Sequence, residues 1–234
     1  MKMKRLQTIL AGMLMLSCMV PQSVRAQEPV KQSEENMKWF ADAKLGIFIH
    51  WGIYSMIGHG EWVMDKEAIN YKEYTHLADG FYPSKFNAEE WVKAFKAAGA
   101  KYITFTSRHH DGFSMFKTAT SNYNIVDGTP FKRDVLKELA DACQKHGMKL
   151  HVYYSHAEWN RLDYPQGWSA MRTGRPRDKE NYDSYLKFMK QQLTEILTNY
   201  GPVRCIWFDG HWDQKNRKNF DWKLDEQYSL IHQL

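Results

Sequence analysis

Short apolar runs alternate with longer amphipathic stretches through most of this chain. Four of the runs have the length of buried strands and lead into polar residues: LGIFIHWG, YITFTSRHHDGF, LHVYYS and CIWFDG. Between the runs, apolar residues recur at helical spacing, and a glycine ends each helical stretch before the next strand begins. Strands that alternate with helices pair in parallel, so the pattern predicts an α/β fold.

Three helices are predicted between the four strands. Asn87 is placed to cap the first, and Gly99, Gly147 and Gly201 mark the three ends. The predicted inner faces are Trp91, Ala94, Phe95 and Ala98 in the first helix; Val135, Leu136, Leu139, Ala140 and Cys143 in the second; and Tyr182, Tyr185, Leu186, Met189, Leu193, Ile196 and Leu197 in the third. A further helix is predicted over residues 221–234.

A repeated unit of helix, glycine, strand and polar residue is typical of a (β/α)8 TIM-like barrel. Such a barrel has eight strands and about 250 residues, and its active site lies where the carboxyl ends of the strands converge. Four strands are visible here, which indicates that residues 27–234 form the N-terminal half of a truncated catalytic barrel domain. We expect the edges of this half-barrel sheet to be exposed.

The first 26 residues have the order of features found in secretory signals. Basic MKMKR precedes a mostly apolar stretch from Leu6 to Val20, and Val24-Arg25-Ala26 offers a small-residue cleavage site. The stretch is too short and too interrupted for a membrane span. The predicted location is therefore periplasmic or extracellular, with lipid anchoring at Cys18 as an alternative. The polar residues 27–36 are predicted to form an irregular leader.

Removing that signal changes the charge balance. The whole chain has 32 basic and 27 acidic residues, and the signal contains four of the basic residues and no acidic one. The nearly neutral remainder lacks the basic footprint of nucleic-acid binding. Cys143 and Cys205 lie in apolar, periodic contexts, and no CxxC pair is present. Both are therefore predicted to be buried, unreactive thiols.

Asp209 lies in the WFDG run at the end of the fourth predicted strand. Trp207 is one strand period earlier and therefore on the same side of the strand. An aspartate at this position can simply cap a turn. A carboxylate with an aromatic wall also suits a nucleophile that attacks a sugar carbon through an oxocarbenium-like transition state. The polar residues at the other strand ends favour this second interpretation.

Three histidines follow the first and second predicted strands: His50, His109 and His110. Beyond the last hydrogen bond of the strand, both members of the His109-His110 pair can turn inward and donate to sugar hydroxyls. One of them could instead be a satisfied core histidine. A zinc site built with Asp209 is another alternative, although the chain has no HxH or HExxH motif.

Glu61 and Trp62 lie in the glycine-containing loop after the first strand. A carboxylate can accept two hydrogen bonds from a vicinal diol, and an indole face packs on the apolar side of a sugar ring. An ordinary surface loop is the alternative. Further aromatic residues lie near the end of the third strand: Tyr153, Tyr154, Trp159 and Trp168.

In this order and spacing, the runs IHWG, EW, RHHDGF, YYS followed by EW, and WFDG resemble the α-L-fucosidases, family 29 of the glycoside hydrolases. The resemblance extends from about Trp39 to Trp222. It implies a retaining exo-glycosidase that removes terminal α-linked L-fucose from fucosylated glycans, without a metal or organic cofactor.

The resemblance also implies roles for individual residues. Asp209 is the expected nucleophile, which forms the glycosyl-enzyme intermediate. The expected substrate-binding residues are His50, Glu61, Trp62, His109, His110, Tyr154 and Trp207. The first five of these hold fucose hydroxyls, and the last two line the fucose pocket.

Retaining hydrolysis needs a second carboxyl group roughly 5–5.5 Å from the nucleophile. The resemblance places that group, together with an arginine near the site and a C-terminal β-sandwich, beyond Leu234. Glu158 and Glu61 are the nearby candidates within the chain, and Glu61 is expected to bind substrate rather than to transfer protons. The alternative function is a fucose-binding fragment without turnover.

Overall fold

A computed structural model describes residues 29–234 of the chain. Its centre is a parallel sheet with the strand order β1-β2-β3-β4. The strands are β1 Gly46–Ile49, β2 Tyr102–Arg108, β3 Lys149–Ser155 and β4 Val203–Asp209. Each strand pairs with its neighbour in sequence, as successive units of a (β/α) barrel do. The four predicted strands and the partial-barrel fold are confirmed.

Helices connect and cover these strands. They are α1 Pro29–Ala43, α2 Val63–Lys66, α3 Tyr71–Thr75, α4 Leu77–Gly80, α5 Ala88–Ala97, α6 Val135–His146, α7 Tyr182–Asn199 and α8 Leu224–Gln233. Two 3-10 helices, Ile53–Met56 and His211–Gln214, follow β1 and β4. Asn87, Asp134 and Asn181 cap α5, α6 and α7 by accepting backbone N–H hydrogen bonds. No helix within residues 29–234 is long and apolar enough to cross a membrane.

The core lies between the sheet and the helices that follow its strands. Alternate strand residues such as Phe105 and Val152 are fully buried there, as expected for a parallel sheet covered by helices. The predicted inner face of α6 is confirmed, because all five of its residues are buried. In α7 the predicted face is also buried, except that Tyr182 and Leu197 are only half-buried.

The predicted inner face of α5 is confirmed at Trp91 and Phe95, which are half-buried and pack against the core, but not at Ala94 and Ala98. Val92 is fully buried, whereas Ala94 and Ala98 are exposed. The half-buried Trp91 packs edge-on against Phe86, with ring centroids 5.0 Å apart. The bulky indole therefore occupies the flank of the helix, and the smaller valine takes the centre of the interface with the sheet.

The predicted irregular leader is wrong for residues 29–36, which form the first half of α1. Trp39, later in the helix, packs edge-on against Tyr102 and His151, with ring centroids 6.0 Å from each. The Lys149 ammonium lies 3.7 Å from the centroid of the Trp39 ring. Aromatic contacts at the amino ends of β2 and β3 thus anchor a helix that is otherwise polar. The predicted export signal, residues 1–26, lies outside the described residues and stays a prediction.

Cys143 and Cys205 are both free thiols. Burial raises the pKa of Cys143 to about 12 and also raises the pKa of Cys205. Cys143 is buried as predicted, but Cys205 is half-buried because it lies on β4, at the edge of the sheet. A raised pKa disfavours the reactive thiolate in both cases.

Candidate active site

Asp209, the last residue of β4, has a firmly oriented carboxylate. Its Oδ2 accepts a hydrogen bond from the Tyr153 hydroxyl at 2.7 Å. Its Oδ1 accepts from the Gly210 N–H at 2.6 Å and from the Trp212 indole N–H at 3.1 Å. The side chain is 31% exposed. Three donors therefore hold the carboxylate while part of it stays open to a ligand.

Gly210 permits the sharp turn that follows Asp209. Its φ is 88°, in the left-handed region, and an added Cβ would lie 2.4 Å from the backbone nitrogen of Ala157. Only a glycine allows this close approach of the two loops without displacing one of them. The turn carries the chain into the 3-10 helix His211–Gln214, which returns Trp212 to the carboxylate.

The adjacent histidines both turn toward the open edge of the sheet. His110 Nε2 lies 3.6 Å from Asp209 Oδ2, and the His109 and His110 ring centroids are 4.1 Å apart. His50 joins them from the end of β1, with its ring centroid 5.4 Å from that of His109. The pairing of β2 with β3 shifts register between Thr106 and Arg108, so the two histidines are released from regular strand alternation.

All three histidine pKa values are lowered, chiefly because burial disfavours the charged ring. The pKa of His110 falls to about 3, with the charges of His50 and Arg108 adding to the effect of burial. The pKa of His109 falls well below its ordinary value. The pKa of His50 is lowered against the opposing charges of Glu61 and Asp209. Each neutral imidazole offers one donor and one acceptor, a combination that suits hydroxyl groups.

The described part of the chain contains no set of ligands for the zinc site considered above. Among residues 29–234, no group of three or more His, Cys, Asp or Glu side chains is arranged to hold a metal ion. A zinc site draws three or four such ligands to about 2.0–2.3 Å from one point. The histidines and Asp209 lie close together without converging in this way.

The loop after β1 folds back over the site. The Trp62 ring stacks on Trp212 with centroids 5.1 Å apart, and it meets His110 edge-on at 5.5 Å. Glu61 is half-buried, and its charge acts on the pKa of His50. Trp62 therefore contacts the site directly, and Glu61 lies near enough to His50 for its charge to act on that ring.

Trp207 lies on β4 two residues before Asp209 and is 50% exposed. Its ring meets Phe48 edge-on, with centroids 5.4 Å apart. Phe48 is on β1 and Trp207 on β4, the two edge strands, so this contact requires a strongly curved sheet. The two rings form an aromatic wall across the concave side of the sheet.

Tyr154 is not part of this pocket, and the prediction for this residue needs correction. Its side chain is fully buried, and its hydroxyl donates to Gln192 Oε1 of α7 at 2.8 Å. Successive residues of a strand point to opposite faces. Tyr153 therefore meets Asp209, and Tyr154 belongs to the core beneath the helices.

Several residues that hold the site were missed by sequence reasoning. Tyr153 was predicted only as aromatic surface, and Trp212, Ser155 and Thr106 were not predicted at all. Trp212 carries a usable signal, since it lies three residues after Asp209, at helical spacing. Thr106 carries none: its Oγ1 accepts the N–H of Trp51 at 3.0 Å and so fixes the end of β1 beside His50.

Glu158 is unsuited to proton transfer because of its position. It is fully buried and ion-paired with Arg108. Its Oε1 accepts the backbone N–H groups of Asn160 and Arg161 at 2.6 and 3.0 Å. Of the two candidates within the chain, Glu61 is the one whose charge acts on a site histidine, His50.

These observations define the class of the molecule. The chain forms part of a (β/α) barrel whose strand ends present an oriented carboxylate beside neutral histidines and aromatic rings. Enzymes built on this barrel place their active sites at this edge.

Comparisons with known proteins identify the family. The family model described as Alpha-L-fucosidase matches residues 14–234. Human plasma alpha-L-fucosidase is 35% identical over 194 residues, which are 74% of this chain and 39% of that protein. The chain belongs to the alpha-L-fucosidase family.

Solved structures are similar over the same region. Alpha-L-fucosidase isoenzyme 1 from Paenibacillus thiaminolyticus has a TM-score of 0.80 and 36% identity, covering 87% of this chain and 49% of its own. AlfC from Lactobacillus casei, in complex with its alpha-L-fucose product, has a TM-score of 0.76 and 32% identity, covering 85% and 68%. The chain spans less than half the length of the curated relatives it matches.

Proposed function

We propose that this chain is the nucleophile-bearing part of a retaining exo-α-L-fucosidase, which hydrolyses terminal α-linked L-fucose in fucosylated glycans. The observation that carries the proposal is the Asp209 carboxylate, oriented by Tyr153, Gly210 and Trp212 and open on one side. AlfC is solved with an α-L-fucose product, and a variant of it with 4-nitrophenyl-α-L-fucopyranoside. Membership of the same family supports a fucoside as the ligand here.

In this proposal, a carboxylate oxygen of Asp209 attacks the anomeric carbon of fucose. The new bond joins that oxygen to C1, and the bond from C1 to the leaving oxygen breaks, so the leaving oxygen must take up a proton. Water then attacks C1 of the glycosyl-enzyme and loses a proton, which frees fucose and Asp209. The neutral histidines and Glu61 hold hydroxyl groups of the sugar during both steps.

The proton that the leaving oxygen takes up has two candidate sources. One is Glu61, a half-buried carboxylate whose charge acts on the pKa of His50. The resemblance instead predicts a residue beyond Leu234 and leaves Glu61 as a ligand for fucose hydroxyls. Fucosides whose leaving groups differ in their need for a proton can show which of the two residues supplies it.

The experiment compares α-L-fucosyl fluoride with methyl α-L-fucoside as substrates of this chain. Fluoride departs without a proton, so Asp209 alone is sufficient to form the glycosyl-enzyme. We expect fluoride release above the buffer blank, and methyl fucoside hydrolysis slower by at least the factor of about 10²–10⁴ that general acid catalysis usually contributes. EDTA should leave fluoride release unchanged, whereas its loss would favour the zinc alternative.

The other outcomes are equally informative. Rapid methyl fucoside hydrolysis that Glu61→Gln abolishes, with fluoride release retained, would assign the acid to Glu61. Saturable L-fucose binding without fluoride release would select the alternative function, a fucose-binding fragment. Neither binding nor fluoride release would contradict the proposed function of the chain.

We further propose that the protein is exported, to the periplasm or the extracellular space. The support is the order of basic, apolar and small residues within residues 1–26. The expected mature N-terminus is Gln27, which mass spectrometry of the secreted protein can read. An intact Met1 in the cytosolic fraction would contradict this proposal.

A further inference from the structure

The His110 ring is in contact with a buried serine whose hydroxyl proton is already committed. Ser155 Oγ donates to the carbonyl oxygen of Ala157 at 2.6 Å. His110 Nδ1 lies 2.6 Å from the same Oγ, and both side chains are fully buried. A serine hydroxyl has one proton to donate and two lone pairs that accept. With its proton directed at Ala157, Ser155 can only accept from His110, so Nδ1 carries the ring proton.

The other ring nitrogen then becomes an acceptor. The pKa of His110 is lowered to about 3, chiefly by burial, so the ring is neutral near pH 7. In a neutral imidazole with a proton on Nδ1, Nε2 has a lone pair and no proton. Nε2 is buried and has no hydrogen-bond partner among the described residues. It lies 3.6 Å from Asp209 Oδ2, another acceptor, so a hydroxyl beside the two atoms can donate its single proton to Nε2.

The opposite tautomer makes fewer hydrogen bonds. It requires the Ser155 hydroxyl to turn from Ala157 to Nδ1, which leaves the Ala157 carbonyl without that donor. The proton on Nε2 would face Asp209 Oδ2 at 3.6 Å, which is beyond the usual N–H···O distance. One hydrogen bond is lost and no well-formed one is gained.

We propose that Ser155 is a positioning residue that holds His110 in the Nδ1–H tautomer, so that Nε2 accepts a hydrogen bond from a sugar hydroxyl beside Asp209. The sugar in this statement rests on the proposed function, whereas the tautomer rests on the hydrogen bonds of the chain alone. Ser155 also lies opposite Asp209 in the register of β3 with β4. The pairing of β3 with β4 thus positions both the proposed nucleophile, Asp209, and the serine that holds the tautomer of His110.

The tautomer is measured directly by NMR of the chain with 15N-labelled histidine. Long-range 1H–15N correlations distinguish a protonated ring nitrogen from an unprotonated one, and the spectrum of His110→Gln assigns the His110 signals. We expect a protonated Nδ1 and an unprotonated Nε2 in the wild-type chain. Ser155→Ala should shift His110 toward the Nε2–H tautomer, and Ser155→Thr, which keeps a hydroxyl, should restore the wild-type pattern.

Ser107 provides a matched control. It is a fully buried serine on β2 whose Oγ donates to the Tyr153 carbonyl at 2.8 Å. Ser107→Ala therefore removes a comparable hydroxyl-to-carbonyl hydrogen bond but should leave the His110 tautomer unchanged. An Nε2–H signal for His110 in the wild-type chain would overturn the proposal, even if no serine variant folds. An unchanged His110 spectrum in folded Ser155→Ala would also overturn it.

A titration with L-fucose tests the role of the tautomer in sugar binding independently of the tautomer itself. Loss of one hydrogen bond to the sugar should weaken fucose binding by about tenfold in Ser155→Ala, with little change in Ser107→Ala. If the wild-type tautomer is as expected but the chain neither binds fucose nor releases fluoride from α-L-fucosyl fluoride, the assignment of Ser155 stands and the fucosidase proposal fails. If fucose binds equally to wild type and to a tautomer-shifted Ser155→Ala, the role in sugar binding is overturned.

Discussion

Replacing Asp209 by glycine is expected to abolish turnover of α-L-fucosyl fluoride. Without the carboxylate no glycosyl-enzyme can form, and the three donors from Tyr153, Gly210 and Trp212 lose the group that they orient. Removing a nucleophile that acts with its neighbours as a unit costs a rate factor on the order of 10⁴ or more. Fluoride release, followed with an ion-selective electrode, measures the loss.

Sodium azide should partly restore fluoride release in Asp209→Gly. The glycine leaves space where the carboxylate lay, and azide can attack C1 from that side in a single displacement. The product should be β-L-fucosyl azide, because one displacement inverts the configuration at C1. Chromatography against a synthetic standard identifies it.

Asp209→Asn is the matched control for the rescue. An asparagine keeps the volume of the side chain, and its oxygen can still accept from Gly210 and Trp212, but the neutral amide is a poor nucleophile. This variant should be equally inactive and should not respond to azide, because the amide fills the space. Undiminished fluoride release in both variants would rule out Asp209 as the nucleophile.

Substituting Glu158 is expected to cause a large loss of stability without involving the chemistry. Glu158 and Arg108 form an ion pair in which both side chains are fully buried. The Arg108 guanidinium carbon lies 5.4 Å and 5.2 Å from the ring centroids of Tyr154 and Phe188, so aromatic rings surround it. Glu158→Gln removes the ion-pair partner of this buried charge, at a cost of about 3–5 kcal/mol. Urea titration measures the free energy of unfolding.

The converse substitution should cost less. In Arg108→Met the remaining Glu158 can become neutral by taking up a proton, whereas a guanidinium cannot lose its charge in the range where the protein folds. Arg108→Met should therefore regain stability as the pH falls, and Glu158→Gln should not. The double variant should lose less free energy than the two single losses together.

An exposed ion pair serves as the control for the buried pair of Glu158 and Arg108. Lys137 and Asp141 form an ion pair on the surface of α6, with side chains 48% and 58% exposed. Asp141→Asn should leave the urea midpoint nearly unchanged, because solvent screens exposed pairs. Equal losses for Asp141→Asn and Glu158→Gln would contradict the buried position of Glu158, as would additive losses for the two buried partners.

The helices and strands could be predicted because their signals are periodic and local. The buried face of α6 can be predicted from the spacing of Val135, Leu139 and Cys143. The cap at Asn87 can be predicted because asparagine is a preferred N-cap residue. The buried face of α5 and the presence of α1 were harder to predict. In α5 the bulky Trp91 lies at the side of the buried face, and α1 is anchored through the contacts of Trp39. In both helices an aromatic ring packs against residues outside the helix, Trp91 against Trp51 and Trp39 against Tyr102, and these contacts outweigh the local pattern.

The candidate site could be predicted only in outline. Parallel strands present their carboxyl ends at one edge, so His50, His110 and Asp209 could be placed together from topology alone. The two tyrosines of the YYS run could not be distinguished in this way, because a shift of one residue exchanges the faces of a strand. Tyr153 meets Asp209 across 56 positions of sequence, and Tyr154 meets Gln192 instead.

The sequence by itself determined the α/β class, the order of the strands, the likeness to the α-L-fucosidases and the presence of polar side chains at each strand end. These features depend on residue type and on spacing along the chain. Only the tertiary structure decided that Tyr153 and Trp212 hold the Asp209 carboxylate, that Glu158 is buried against Arg108, and that Ser155 contacts the His110 ring. Each of these depends on which side chains meet when separate strands and loops pack, and a one-dimensional pattern does not record such contacts.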